Sequence, residues 1–231
     1  MNIKLNKDLL NIVKDKRVVI IGPSPYLVGT SSGKDINSYD VVCRVNDVAP
    51  PTELRPDYGD RTDVIFHNCG THWMNGFRKK IYKSKDEFKK IKMGACLAIK
   101  SEGAQNNYLD WPNDYISDVV KNFESINMHK IPFYWVGVED YKKLHQAISV
   151  EPSQGVLAIA VLAQYPLKEL SIKGFSFYLE GQNHDHAYFS GYRDDYGGSI
   201  GHDMRTQLTF FKNLLKKHPQ ITIDSYLKNL L

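Results

Sequence analysis

Short hydrophobic runs alternate with polar and charged stretches along the chain, and this pattern predicts strands separated by helices. The clearest run is Val18–Ile21, which is uncharged and is closed by Gly22 and Pro23. A run this short and this apolar is typical of a strand that is buried on both faces. Further strands are predicted over residues 40–45, 62–67, 95–99, 132–138 and 170–175.

Helical periodicity fills the spaces between these strands. An amphipathic helix is predicted over residues 3–14 before the first strand. Further helices are predicted over 114–125, over 139–148, and in the apolar segment that follows residue 155. Alternation of strand and helix predicts an α/β fold, with one Rossmann-like domain over residues 1–231 and a mostly parallel sheet covered by helices on both faces.

Two strand ends carry candidate binding groups. Gly22-Pro23-Ser24-Pro25 forms a tight turn after the first strand, and Asn46 follows the second strand. Ligands of open α/β sheets bind outside the carboxyl ends of strands, so Ser24 and Asn46 are predicted to lie where a nucleotide would bind. The alternative is a strand, turn and strand without a ligand.

Two common phosphate-binding motifs do not fit this region. A full G-x-G-x-x-G is missing, so a dinucleotide site is weakly supported. Gly33-Lys34-Asp35 imitates the end of a P-loop, but Gly29 is too close, and Asp35 stands where Ser or Thr would bind magnesium.

Composition changes this picture little. The 231 residues carry a net charge of +4, with 42% hydrophobic and 24% charged residues, which is ordinary for a soluble domain and does not imply a nucleic-acid partner. The three cysteines lack metal-site spacing and are interpreted as buried, reduced thiols: Cys43, Cys69 and Cys96.

Location is predicted from the N-terminus and from one basic stretch. The first 17 residues carry charges throughout and contain no apolar segment long enough for a signal or a span, so a cytoplasmic protein is expected. Residues 75–92 are strongly basic, most of all 78–92. They are interpreted as a solvated helical face or, alternatively, as a surface for an anionic acceptor or for the inner face of a membrane.

Two later segments carry candidate chemistry. Pro152-Ser153-Gln154-Gly155 precedes an apolar helix, whose N-terminal N–H groups can bind an anion. Residues 181–203 hold three of the eight histidines. A metal site at His184 and His186 is not predicted, because no cysteine or spaced acidic set completes a ligand shell.

The stretch 18–46 resembles the large sialyl motif of glycosyltransferase family 29, the sialyltransferases. The matching positions are Gly22, Ser24, Leu27, Gly33, Ile36, Tyr39, Asp40, Val42, Arg44 and Asn46. The continuation of the motif is similar to residues 59–63. Two asparagines of the family pattern are replaced here, by Pro23 and Tyr26.

Three further motifs follow in the family's order. Residues 152–155, followed by 170–175, resemble the small sialyl motif, with Gln154 in place of Thr. Residues 186–189 resemble motif III. Residues 202–207 resemble the very small motif, in which Gln207 stands in place of Glu.

The resemblance implies the sialyltransferase variant of a GT-A-like fold and an inverting, metal-independent transferase of polysaccharide biosynthesis. Its donor would be a CMP-activated acidic ulosonic sugar, such as sialic acid or Kdo, and its acceptor a glycan hydroxyl; no separate cofactor is implied. His202 would be the general base. The implied substrate-binding residues are Gly22, Pro23, Ser24, Asn46, Ser153, Gln154, Gly155, Gly174, Phe175, His186 and Tyr188.

Two other functions stay open from the sequence. A non-catalytic relative that binds a nucleotide or a glycan is motivated by Gln207. A Rossmann-like oxidoreductase or methyltransferase is the other alternative, since the sheet pattern alone is shared with such enzymes.

Overall fold

A computed structural model describes residues 3–45, 50–67, 92–96, 132–150, 152–177 and 203–231. The described segments contain one seven-stranded sheet whose neighbouring strands are all parallel. Its strands are β1 (Arg17–Ile21), β2 (Val41–Val45), β3 (Val64–His67), β4 (Met93–Cys96), β5 (Phe133–Trp135), β6 (Glu169–Lys173) and β7 (Ile221–Ile223). The predicted α/β fold with a parallel sheet is confirmed.

The described helices lie before β1, in several of the connections between strands, and after β7. They are α1 (Lys7–Val13), α2 (Gly33–Asn37), α3 (Arg55–Tyr58), α4 (Val138–Ile148), α5 (Gln154–Leu162), α6 (Met204–Lys217) and α7 (Ser225–Leu230). Two 3-10 turns lie at Pro25–Leu27 and Thr52–Leu54. Within the described segments, no helix is long and apolar enough to cross a membrane.

Both faces of the central strands are buried, as the uncharged run in β1 predicts. Val18 and Ile20 belong to a large cluster that also contains the buried side chains of α5. Val19 and Ile21 point the other way, into a smaller cluster with Ile36 of α2. The alternation follows from the two-residue period of a strand, and it places helices on both faces.

The strand order locates the switch point of the sheet. From β1 the chain adds β2 to β5 on one side, and then returns to place β6 and β7 on the other side of β1. In an open α/β sheet, such a reversal leaves a crevice at the carboxyl ends of the two strands that flank it. Here those strands are β1 and β6, and their ends carry Gly22 and Gly174.

Several predicted boundaries need correction. The first helix begins at Lys7 rather than at residue 3, because the side chain of Asn6 caps it by accepting from the N–H of Leu9. β4 begins at Met93, two residues before its predicted start, and β5 ends at Trp135, because Val138 already belongs to α4. The helix predicted over 114–125 and the basic stretch 75–91 lie outside the described residues.

Candidate active site

Just beyond their paired residues, the parallel strands β1 and β6 remain in direct backbone contact. The N–H of Gly22 donates to the carbonyl of Lys173 at 2.9 Å, and the N–H of Ser24 donates to the carbonyl of Gly174 at 3.0 Å. A Cβ on Gly22 would collide with the carbonyl group of Gly174, and a Cβ on Gly174 would collide with that of Gly22. Gly174 also has a φ of +77°, which side chains rarely allow. This close backbone contact therefore requires glycine at both positions.

The ring of Phe175 links this contact between β1 and β6 to helix α5. A Cβ on Gly22 would lie 3.1 Å from Cδ1 of Phe175, and a Cβ on Gly155 would lie 2.6 Å from Cε1 of the same ring. The ring thus lies between two backbone segments that only glycine can bring so close. Residues 22, 155 and 175, which are far apart in sequence, meet at one edge of the sheet.

The N-terminus of α5 is held in place from two sides. Ser153 is its N-cap, and the Ser153 hydroxyl accepts from the N–H of Val156 at 3.4 Å. The N–H of Ser153 donates to Oε1 of Gln207 at 2.9 Å, and Gln207 is fully buried. The first turn of α6 therefore lies beside the first turn of α5. The N–H groups that begin a helix have no partner inside the helix and favour an anion.

Ser24 carries a buried hydroxyl that is a candidate ligand contact. Ser24 is 6% exposed, and within the described part of the chain its Oγ has no hydrogen-bond partner. Its backbone carbonyl, by contrast, accepts from the hydroxyl of buried Tyr58 at 2.6 Å. Leaving a buried polar group unsatisfied costs free energy, so such a group in a folded site calls for an explanation. A bound ligand that supplies the missing partner is one such explanation.

The matched residues of the second strand have structural partners. Arg44 is 1% exposed and donates to the carbonyl of Tyr58 at 2.8 Å and to Oγ1 of Thr62 at 3.0 Å. Asp63 accepts from the N–H of Val42 at 2.8 Å and pairs with Arg61 at 2.8 Å. These contacts tie the segment after α3 to β2. They hold Tyr58 in position to reach Ser24.

Tyr26 is a site residue that the sequence analysis noted only as a departure from the family pattern. Its hydroxyl donates to the carboxylate of Asp224 at 2.6 Å and accepts from the N–H groups of Gly174 and Phe175, at 2.6 Å and 3.1 Å. Burial, and then the neighbouring Asp224 carboxylate, raise the pKa of Tyr26, so the hydroxyl stays protonated. The one local signal for this role in the sequence was that Tyr26 replaces an asparagine of the family pattern.

Helix α6 begins immediately after the predicted base. Asp203 is its N-cap and accepts from the N–H of Thr206 at 3.0 Å and from the Thr206 hydroxyl at 2.7 Å. These hydrogen bonds lower the pKa of Asp203. His202 precedes Asp203 in the sequence but lies outside the described residues, as do Asn46, His186 and Tyr188.

Eight of the twelve predicted site residues lie in the described part of the chain. The structure brings Gly22, Ser24, Ser153, Gly155, Gly174 and Phe175 to one edge at the switch point, and Pro23 and Gln154 lie in the same two turns. In the described residues, no three His, Cys, Asp or Glu side chains lie close enough together to hold a metal ion. Cys43 is buried and free, as expected; Cys69 lies outside the described residues, and the side chain of Cys96 is not described.

A topological switch point beside a helix N-terminus is typical of α/β proteins that bind a nucleotide or a similar anion. Comparison with protein families makes this specific. The model of glycosyltransferase family 29 (sialyltransferase) matches residues 12–219. The chain belongs to this family and is a glycosyltransferase.

Solved sialyltransferases share the fold. A mammalian sialyltransferase in complex with Gal-beta-1-3GalNAc-ortho-nitrophenol is 15% identical, with a TM-score of 0.58, over 96% of this chain and 74% of that chain. CstII from Campylobacter jejuni in complex with cytidine-5'-monophosphate is 19% identical, with a TM-score of 0.54, over 94% and 84%. An alpha-2,3-sialyltransferase from Campylobacter jejuni in apo form is 16% identical, with a TM-score of 0.55, over 99% and 81%. No curated protein sequence matches the chain.

Proposed function

We propose that this chain is an inverting glycosyltransferase that moves an acidic ulosonic sugar from a CMP-activated donor to a glycan hydroxyl. The observation that carries the proposal is the buried hydroxyl of Ser24, which has no partner among the described residues. It lies where the ends of β1 and β6 meet, in a member of the sialyltransferase family. Sialyltransferases of the same fold have been solved with CMP and with a glycan acceptor.

The donor's phosphate suits the N-terminus of α5. Ser153, Gln154 and Gly155 form the cap and first turn, where backbone N–H groups and the helix dipole favour negative charge. Phosphate charge increases as the bond to the sugar breaks, so the same groups would stabilise the leaving CMP. The crevice beside Gly22 and Ser24 would take the rest of the nucleotide.

His202 is the proposed general base. An imidazole with a pKa near neutrality can accept the proton of an acceptor hydroxyl at the pH of a cell. The first turn of α6 is anchored beside α5 through Gln207 and Ser153, and His202 directly precedes that turn in the sequence. His186 is proposed to contact the leaving phosphate, which rests on its match to motif III. The proposed reaction needs no metal, because the N-terminus of α5 and His186 would stabilise the leaving phosphate and His202 would take the acceptor proton.

The glutamine at position 207 does not by itself favour a non-catalytic protein. Its Oε1 accepts from the N–H of Ser153, and an amide oxygen performs this task as a carboxylate oxygen would. The side chain is fully buried, where a neutral group also avoids the cost of burying a charge. The substitution is therefore compatible with an intact donor site.

The proposed location is the cytoplasm, with peripheral contact to the inner membrane face through the basic stretch 78–92. The support for it is the charge of that stretch, since basic segments are attracted to acidic leaflets. Sedimentation with vesicles of acidic and of neutral phospholipid tests this part: binding to neither contradicts it.

A nucleotide panel tests the proposed donor. Thermal unfolding is followed with CMP, UDP, GDP, NAD and S-adenosylmethionine. CMP should stabilise the protein by about 2.7 kcal/mol at a hundredfold excess over its dissociation constant. Stabilisation by UDP or GDP without CMP would overturn the donor assignment, and stabilisation by NAD or S-adenosylmethionine alone would favour the oxidoreductase or methyltransferase alternative.

A further inference from the structure

We propose that Tyr26 is a positioning residue that couples the C-terminal segment, residues 221–231, to the donor-binding turn at Gly174 and Phe175. This inference rests on the proposed function. It assigns a role to a residue that replaces an asparagine of the family pattern, and to a segment beyond the region matched by the family model.

The Tyr26 hydroxyl uses its full hydrogen-bonding capacity. It gives its one proton to Oδ2 of Asp224 at 2.6 Å, and it accepts from the N–H groups of Gly174 and Phe175. A hydroxyl has one donor and two acceptor positions, and all three are taken here. Because the proton points to a carboxylate, the oxygen is a stronger acceptor for the two backbone N–H groups.

The Asp224 carboxylate serves two segments at once. Its Oδ1 caps α7 by accepting from the N–H of Leu227 at 2.9 Å, while its Oδ2 accepts from Tyr26. Leu227 is fully buried in the large core cluster. The position of the carboxylate is therefore fixed by the packing of α7, and Tyr26 is held against it.

Ring stacking adds a second link between the same segments. The rings of Tyr26 and Tyr226 lie 3.9 Å apart, centroid to centroid, at 11° between their planes. The stack leaves Tyr26 little freedom to rotate. The stack and the three hydrogen bonds together hold the Tyr26 hydroxyl at the turn.

The turn that Tyr26 holds is the one that shapes the crevice. Gly174 contacts Gly22, and Phe175 lies between Gly22 and Gly155. Without the hydroxyl, the two N–H groups lose their acceptor and the ring of Phe175 loses its fixed approach to α5. The segment 221–231 thus contributes to donor binding through Tyr26, although the proposed donor contacts include none of its residues.

The test compares two tyrosine variants of the full chain. Y26F removes the hydroxyl and keeps the ring that stacks on Tyr226. Y165F is the matched control: the Tyr165 hydroxyl accepts from the N–H of Asn6 at 3.0 Å, Tyr165 is 2% exposed, and it follows the C-terminal end of α5, away from the site. D224N is the second variant, because asparagine can still cap α7 but opposes the Tyr26 proton with an amide donor.

Calorimetric titration with CMP and amide hydrogen exchange in the ligand-free protein are the two measurements. We expect Y26F and D224N to weaken CMP binding about fivefold or more and to speed exchange at Gly174 and Phe175, with Y165F within about twofold of wild type in both. CMP binding by Y26F as tight as by Y165F overturns the role in donor binding. If the wild type binds no CMP, the proposed function fails; exchange at Gly174 and Phe175 that is unchanged in Y26F and D224N overturns the link itself.

Discussion

The N–H of Ser153 donates to Oε1 of Gln207 at 2.9 Å, across 54 residues of sequence. This hydrogen bond joins the turn of the small sialyl motif, residues 152–155, to α6, the helix that follows His202 in the sequence. One end of the bond is the N-cap of α5, and the other lies in the first turn of α6. One hydrogen bond therefore supports both the proposed phosphate site and the helix that follows the proposed base in the sequence.

Loss of this contact should reduce both stability and donor affinity. Q207L leaves the N–H of Ser153 without its acceptor, which should lower the free energy of unfolding by about 1–3 kcal/mol. CMP affinity should fall as well, because the first turn of α5 is no longer fixed. Q207E restores an acceptor and should bind CMP more tightly than Q207L. Chemical denaturation and calorimetry check both effects; equal CMP affinity in the two variants would contradict the role given to this bond.

Removal of the Ser24 hydroxyl should separate stability from binding. S24A deletes a buried oxygen without a partner among the described residues, so the free energy of unfolding should be unchanged or rise by up to about 1 kcal/mol. CMP binding should weaken about two- to tenfold, the value of one hydrogen bond. S171A, in the middle of β6, is the control and should bind CMP as wild type does. A Ser24 variant with undiminished CMP affinity would show that this hydroxyl does not contact the donor.

The backbone contact between the ends of β1 and β6 should tolerate no side chain at Gly22. G22A places a Cβ against the Gly174 carbonyl, and both partners are backbone, so the free energy of unfolding should fall by about 1–3 kcal/mol or more. G137A is the control, since a Cβ at Gly137 would meet no heavy atom within 4 Å. Urea unfolding measures the difference. Equal stability of G22A and G137A would mean that the two strand ends are not in contact.

Acid should weaken the cap of α6. The native pKa of Asp203 lies below its ordinary value because Thr206 donates to its carboxylate. A lowered pKa means that this contribution is complete above the unfolded pKa of about 3.9 and is lost as pH falls through the native value. D203N caps the helix without a charge. Its stability relative to wild type should therefore improve as pH falls below about 4, and a difference that is independent of pH would contradict the assignment.

The central strands and the donor-site turns could be predicted from sequence because their signals are local. Val18–Ile21 is uncharged and closed by Gly22, and the apolar helix after Ser153 begins with a good cap. Parallel pairing then brings the carboxyl ends of β1 and β6 together without further information. The family motifs added which of these ends are proposed to bind the donor.

The C-terminal segment could not be predicted in the same way. β7 has three residues and α7 has six, which is too short for a clear periodicity, and neither was predicted. The bond between Tyr26 and Asp224 spans 198 residues, so no local pattern indicates it. Arg44 was matched as a motif residue, but its buried contacts with the backbone of 58–62 became visible only in the structure.

The central claim is a CMP-sugar transferase with His202 as its base, and one assay tests it most directly. Wild type, H202A and H186A are each incubated with CMP-sialic acid or CMP-Kdo and a glycan acceptor, and the transferred sugar and released CMP are quantified. Calorimetry with CMP accompanies the assay. The assay is run with and without EDTA, which should leave the rate unchanged.

The wild type should transfer sugar in step with CMP release. H202A should lose about 10²–10⁴ in rate, the usual contribution of a general base, while its CMP affinity stays within a few-fold of wild type. H186A should lose both transfer rate and CMP affinity, because the His186 side chain would contact the leaving phosphate. Transfer by H202A at a rate near that of wild type would contradict the account, and Asp203 would then be the next base to test.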